Sequence, residues 1–179
     1  AGPGGVGKTR VAQELAHAIE REVVWCECAD ATTLPDLIGT LAAALGVSLV
    51  GGDAYQAMAH ALALRPLVVL DNLEQVVAPA RELIERLAKR VPLTIIATSR
   101  EPLGLDFEVV LRLGPLTLDD AVALFDERRA EHADGEQVRA SVQIVEDCEC
   151  LPLALELAAA RARVMPLAEL RRRLHEVLA

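Results

Sequence analysis

The stretch that decides the fold is Gly2-Pro3-Gly4-Gly5-Val6-Gly7-Lys8-Thr9, followed at once by Arg10 and a helical run. It meets the pattern G-x-x-x-x-G-K-[ST] through Gly2, Gly7, Lys8 and Thr9. Glycines let the backbone curl until several N–H groups point at one anion. The lysine can reach the outer phosphates of a nucleotide, and the Thr9 hydroxyl can ligate Mg²⁺. The helix that follows turns its positive end toward the same place. Beyond the loop, Val11, Leu15 and Ala18/Ile19 recur at helical spacing, which separates this match from a chance glycine-rich turn.

Working outward, Glu22 to Cys28 reads as a strand. Helices follow at Leu34 to Leu45, stopped by Gly46, and after the Gly51-Gly52 turn at Tyr55 to Leu62. Leu67-Val68-Val69-Leu70 is a continuous apolar run, expected of a strand buried on both faces. A helix with Ala80, Leu83/Ile84 and Leu87 on one stripe comes next. Leu93 to Thr98 reads as a second buried strand and Glu108 to Leu113 as a third. Strands alternating with helices imply a parallel α/β sheet. After Pro115 the pattern turns wholly helical: Thr117 with Asp120 gives a capping signal, and helices are expected at 117–132, 136–149, 152–164 and 167–178. The expected division is an α/β part over 1–114 and a helical part over 115–179.

Composition narrows the function. The 179 residues are 53% hydrophobic, 25% charged and only 2% aromatic, so an aliphatic core is expected. A net charge of −9 argues against a broad nucleic-acid or anionic-membrane surface. With no apolar run of about 18 residues and no leader pattern, a cytoplasmic location is the expectation. Cys26/Cys28 and Cys148/Cys150 are spaced more tightly than zinc knuckles, and period two places Cys26 and Cys28 on one buried strand face. His17, His60, His132 and His175 read as ordinary surface residues, and Arg171-Arg172-Arg173 as a solvated helix face.

Three more positions carry chemistry. Asp71 ends a buried strand, where a carboxylate can hold the Mg²⁺ shell beside a phosphate loop. Asn72 follows it where many hydrolysing relatives have a second carboxylate, and an amide cannot take a proton from water. Glu74 could orient water, but reads more simply as a surface residue at a helix start. Arg100 follows Ala97-Thr98-Ser99 at the next strand end; it could reach a γ-phosphate or sit as an exposed loop arginine. Pro152, in Leu151 to Leu157, is by pattern only a proline at a helix start.

The order of these motifs, from the phosphate loop through LVVLDNLEQV, IIATSREPLG and LGPLTLDDAVALF to LPLALELAAARAR, resembles the STAND family of signal-transduction ATPases, also called NB-ARC or AP-ATPases. The resemblance is strongest to the bacterial branch in LuxR-type and SARP-type transcriptional regulators, and it spans nearly the whole chain. It implies a P-loop NTPase sheet with helices on both faces, then a helical lid. It implies ATP or ADP with Mg²⁺ as ligands and a slow ATPase. Gly2 to Thr9 would be the Walker A loop, with Arg10 opening its helix; Asp71 would be the Walker B acid, Arg100 the γ-phosphate sensor and Pro152 the contact to the adenine side. Partners would be flanking effector and sensor domains of the same chain, with a nucleotide-dependent homo-oligomer. Cys150 stands where the family has a glycine, and no histidine switch motif is present.

Two other classes stay open: a turnover enzyme such as a kinase or motor-type ATPase, and a scaffold that binds nucleotide without hydrolysis. A GTPase would carry an N-K-x-D motif, which is absent. A phosphate loop is ordinarily fed by a buried strand. Here the loop starts at residue 2, so the chain is expected to be a fragment missing its first strand. The strands ending at Asp71 and Thr98 would then lack packing and ladder partners on one side, and residues 1–179 alone would be unstable.

Overall fold

A computed structural model describes residues 1–64, 66–129 and 136–178. They form two compact units: residues 1–2 with 8–112, and residues 3–7 with 113–179. His132 and the end of the helix expected to reach residue 132 lie outside the described residues.

The first unit is built on three parallel strands, β1 (Val23–Glu27), β2 (Leu67–Asp71) and β3 (Thr94–Ala97), in the order β1-β2-β3. Val24 lies opposite Val68, and Val68 opposite Ile95, so the apolar centres of all three align. Every residue of β2 is buried. Its alternation serves two cores. Val68 and Leu70 join Leu37, Leu41, Met58, Leu83 and Leu87 from α2 (Leu34–Ala44), α3 (Ala54–Leu62) and α4 (Val77–Ala88). Leu67 and Val69 face Ala12 and Ala16 of α1 (Lys8–Ala18). Helices on both faces explain why β2 reads as a continuous apolar run rather than an alternating one.

Local signals set the helix starts. Thr33 and Asp36 form a reciprocal capping box at α2, and Asp53 caps α3. The N–H and hydroxyl groups of Thr32 and Thr33 around Asp36 hold its carboxyl below the usual carboxylate range.

Three expectations need correction. Glu108 to Leu113 forms no strand, and Val109 is 94% exposed. Instead the Glu108 carboxylate accepts N–H bonds from Leu103, Gly104 and Leu105, at 3.1, 2.8 and 3.4 Å. This local turn competes with strand geometry, and among the described residues the segment forms no ladder with any strand. β3 is not the buried strand expected: Thr94 is exposed and the rest only half-buried, and among the described residues it has a strand neighbour on one side alone. The lack of a ladder partner expected for the strands ending at Asp71 and Thr98 therefore applies to β3, whereas β2 is paired on both sides.

The second unit packs α5 (Leu118–Arg129), α6 (Glu136–Asp147), α7 (Pro152–Ala162) and α8 (Leu167–Leu178). Its core is Phe125, Ile144, Val145, Leu155, Ala158, Ala159 and Leu170. The Thr117 signal works as read: the Asp120 N–H donates to Thr117 Oγ1 at 3.2 Å. Arg172 and Arg173 pair with Glu169 on the outer face of α8. Among the described residues no helix is long and apolar enough to cross a membrane.

Candidate functional site

The parallel register brings the C-terminal ends of β2 and β3 side by side. Asp71 is only 2% exposed there. A carboxylate at that depth needs donors. Thr98 Oγ1 donates to Asp71 Oδ1 at 2.5 Å, and Thr9 Oγ1 donates to the same oxygen at 3.0 Å. The Thr98 hydroxyl also accepts the Asn72 N–H at 2.8 Å. One side chain thereby fixes the acid and the residue after it. The Thr98 carbonyl accepts the Leu73 N–H at 2.9 Å, holding the chain beyond β2 against the end of β3. Asn72 has φ +64°, a left-handed conformation that Asn tolerates better than most residues.

Lys8 opens α1, and its Nζ lies 2.8 Å from the Gly2 carbonyl and 3.2 Å from Glu74 Oε1. Glu74 Oε2 in turn lies 2.6 Å from Arg100 Nε. Glu74 therefore joins the loop lysine to the arginine after β3. It does not sit in a helix but in the turn before α4, corrected from the helix-start reading. The Gly2 N–H donates to Ser99 O at 3.2 Å, and the Ser99 hydroxyl is buried without a hydrogen-bond partner among the described residues. Arg10 is not drawn in; it pairs with Glu14 at 2.7 Å on the outer face of α1.

Pro3 to Gly7 belong to the second unit, with Pro152. Pro152 stands in the first turn of α7, where its missing N–H costs nothing. The next N–H, from Leu153, donates to Gly5 O at 3.1 Å. Gly5 has φ +74°, and a Cβ there would lie 3.1 Å from Leu153 Cβ, so both backbone and space demand glycine. Gly7 has φ +95°. Pro3 and Gly4 are exposed, while Val6 is buried. Cys150, just before this segment, has φ +53° and follows Glu149 at φ +54°.

The thiols behave as core residues. Burial, reinforced by its neighbour Cys28, pushes Cys26 up to about 12. Burial also raises Cys28 and Cys148 to about 11. All three stay protonated near neutral pH.

Sequence reasoning singled out the stretch Thr98-Ser99-Arg100 but gave a role only to the arginine. A polar residue ending an apolar strand run was the available signal for Thr98. Glu74 was considered from sequence, but nothing in the local pattern pointed to its pairing with Lys8 and Arg100, which lie 66 and 26 residues away.

Comparison with known proteins fits this architecture. A family model described as AAA domain matches residues 1–103, more than half of the chain. The chain belongs to the AAA domain family. It is 35% identical over 175 residues to a Mycobacterium tuberculosis protein provisionally named an HTH-type transcriptional regulator, covering 92% of this chain and 20% of that one. It is 33% identical over 173 residues to an uncharacterized protein of the same organism, covering 89% of this chain and 44% of that one. The chain thus spans about a fifth of the first relative and under half of the second. Among solved structures, a STAND protein (signal transduction ATPase with numerous domains) with a tetratricopeptide repeat sensor from Pyrococcus horikoshii is similar. The TM-score is 0.61 at 17% identity, over 99% of this chain and 29% of that one. The shared fold is that of a P-loop NTPase with a helical C-terminal part.

Proposed function

We propose that this AAA-domain chain is the ATP/ADP-binding switch module of a STAND-type signal-transduction or transcriptional regulator, of the NB-ARC kind found with LuxR-type and SARP-type outputs. The observation that carries the reading is the convergence on one buried acid. Thr9 from the start of α1 and Thr98 from the end of β3 both donate to Asp71 Oδ1. A hydroxyl beside a carboxylate is a hard-oxygen donor pair, which suits Mg²⁺. Thr9 and Asp71 would hold the ion, which when bound neutralises charge between the outer phosphates. Gly2 to Gly7 would offer backbone N–H groups, Lys8 would hold the outer phosphates and Arg100 would read the third. Arg10 would flank the loop, and Pro152 would meet the adenine side. Residues 1–114 would form the nucleotide-binding part and 115–179 the lid.

Asn72 supports slow hydrolysis, since the position after Asp71 offers an amide and no second base. Slow hydrolysis suits a switch whose bound state, rather than its turnover, is the output. Flanking sensor and effector domains would receive that state in the cytoplasm, with assembly of copies in the ATP form. The provisional regulator name of the mycobacterial relative is consistent with this.

The test is phosphate release and nucleotide binding by the full-length protein. Release should stay well below the rates of about 1–1,000 per second of ordinary enzymes. Lys8→Ala should abolish tight ATP binding. Fast release without any partner would favour a turnover enzyme, and Lys8-dependent binding with no release would favour a scaffold.

A further inference from the structure

Glu74 is a carboxylate with one oxygen on each of two cations: Oε1 faces Lys8 Nζ at 3.2 Å and Oε2 faces Arg100 Nε at 2.6 Å. Its side chain is 21% exposed and that of Lys8 11%, so the lysine half of this bridge is largely shielded from water. The turn that carries Glu74 is itself held. Leu73 is fully buried, its N–H donates to Thr98 O at 2.9 Å, and its carbonyl accepts the Val76 N–H at 3.0 Å. Glu74 is thus presented from the same strand ends that hold Asp71. An anion spanning these two cations makes the contacts that a phosphate would make with them.

We infer that Glu74 is a tethered stand-in for the terminal phosphate, and that it sets how strongly the site distinguishes a nucleoside triphosphate from a diphosphate. The inference rests on the reading that Lys8 and Arg100 face the outer phosphates. A third phosphate must take both cations from the carboxylate, and those broken contacts subtract from its affinity. A diphosphate engages Lys8 at most and leaves the Arg100–Glu74 pair in place. Glu74 therefore biases the site toward the diphosphate and delays commitment to the triphosphate state.

The test compares Mg²⁺ complexes of ADP and of the slowly hydrolysed analogue ATPγS, titrated into the full-length protein by calorimetry. Glu74→Gln keeps the shape and removes the charge. It should tighten ATPγS about fivefold and ADP less than about twofold, in keeping with the modest worth of partly exposed ion pairs. Glu74→Asp, too short to span both cations, should give a smaller gain of the same sign. Glu82→Gln, which removes the same charge from the face of α4 where Glu82 pairs with Arg86, should change neither affinity. In an Arg100→Ala background the preference gained by Glu74→Gln should largely disappear. Equal tightening of both nucleotides, no tightening, or weaker ATPγS binding would overturn the inference while Lys8-dependent nucleotide binding upheld the proposed function. If wild type bound neither nucleotide, or if Lys8→Ala bound as wild type, the proposed function would fall and the inference with it.

Discussion

Each unit of this chain contains a carboxylate that ties elements together, and the two are tied differently. Asp71 in the α/β unit gathers the Thr9 and Thr98 hydroxyls on one oxygen. Asp126 in the helical unit accepts the Ser141 hydroxyl at 3.3 Å and pairs with the buried Arg129 guanidinium at 3.5 Å. Arg129 also stacks over the Phe125 ring, 5.9 Å from its centroid, so that pair is built into helix packing. Asp126 serves an apolar bundle, joining α5 to α6. Asp71 sits where β2 ends, and its two hydroxyl partners come from the start of α1 and the end of β3. The difference shows that burial of an acid does not by itself mark a site. What differs between the two is which elements converge on the acid.

If that contrast is right, the helical unit should depend on apolar volume and the α/β unit on polar satisfaction. The largest effect is expected at Phe125, which is fully buried. Phe125→Ala should destabilise the helical unit by about 3–5 kcal/mol through lost burial and a cavity. Chemical denaturation followed by helical circular dichroism would read this, and a loss under about 1 kcal/mol would break the apolar half of the contrast.

Next comes Thr98→Val, which keeps the shape but strips Asp71 of one donor and the Asn72 N–H of its acceptor. A cost of about 1–3 kcal/mol to the α/β unit is expected, because the buried Asp71 keeps only the Thr9 hydroxyl on that oxygen and the Asn72 N–H loses its acceptor. Hydrogen exchange at the Asn72 amide should speed up as well. Unchanged protection there would mean that Thr98 fills space and no more.

The smallest effect sharpens the comparison at two left-handed residues. Asn72 at φ +64° is a residue type that accepts the conformation, while Cys150 at φ +53° is not. Cys150→Gly should therefore stabilise the helical unit by about 1 kcal/mol, and Asn72→Gly should alter the α/β unit by only a few tenths. Paired thermal melts would test this, and a destabilised Cys150→Gly would show that its thiol packing outweighs the backbone strain.

The residues show how far sequence could go. The loop glycines, the fully apolar β2 run and the helical stripes all report interactions within a few residues or one periodic face. Those readings survive folding because short-range sterics and periodic burial are encoded locally. The glycine that the STAND resemblance implies at position 150 would suit the left-handed backbone there, which Cys150 adopts at a cost. Glu108 to Leu113 went the other way. Its β propensity is real, but a strand exists only with a neighbour to pair with, and propensity cannot supply one.

From sequence alone came the phosphate-loop signature, the alternation of strands and helices, the change to helix after Pro115, and Asp71 at a strand end. Only the tertiary structure decided that the Thr98 hydroxyl would donate to Asp71, that β3 would be half-exposed, and that Glu74 would span Lys8 and Arg100. The physical reason is range. Backbone conformation and one-face periodicity are written in neighbouring residues, whereas charge pairing among a helix start and the segments after β2 and β3 depends on the parallel register that brings those strand ends to one edge.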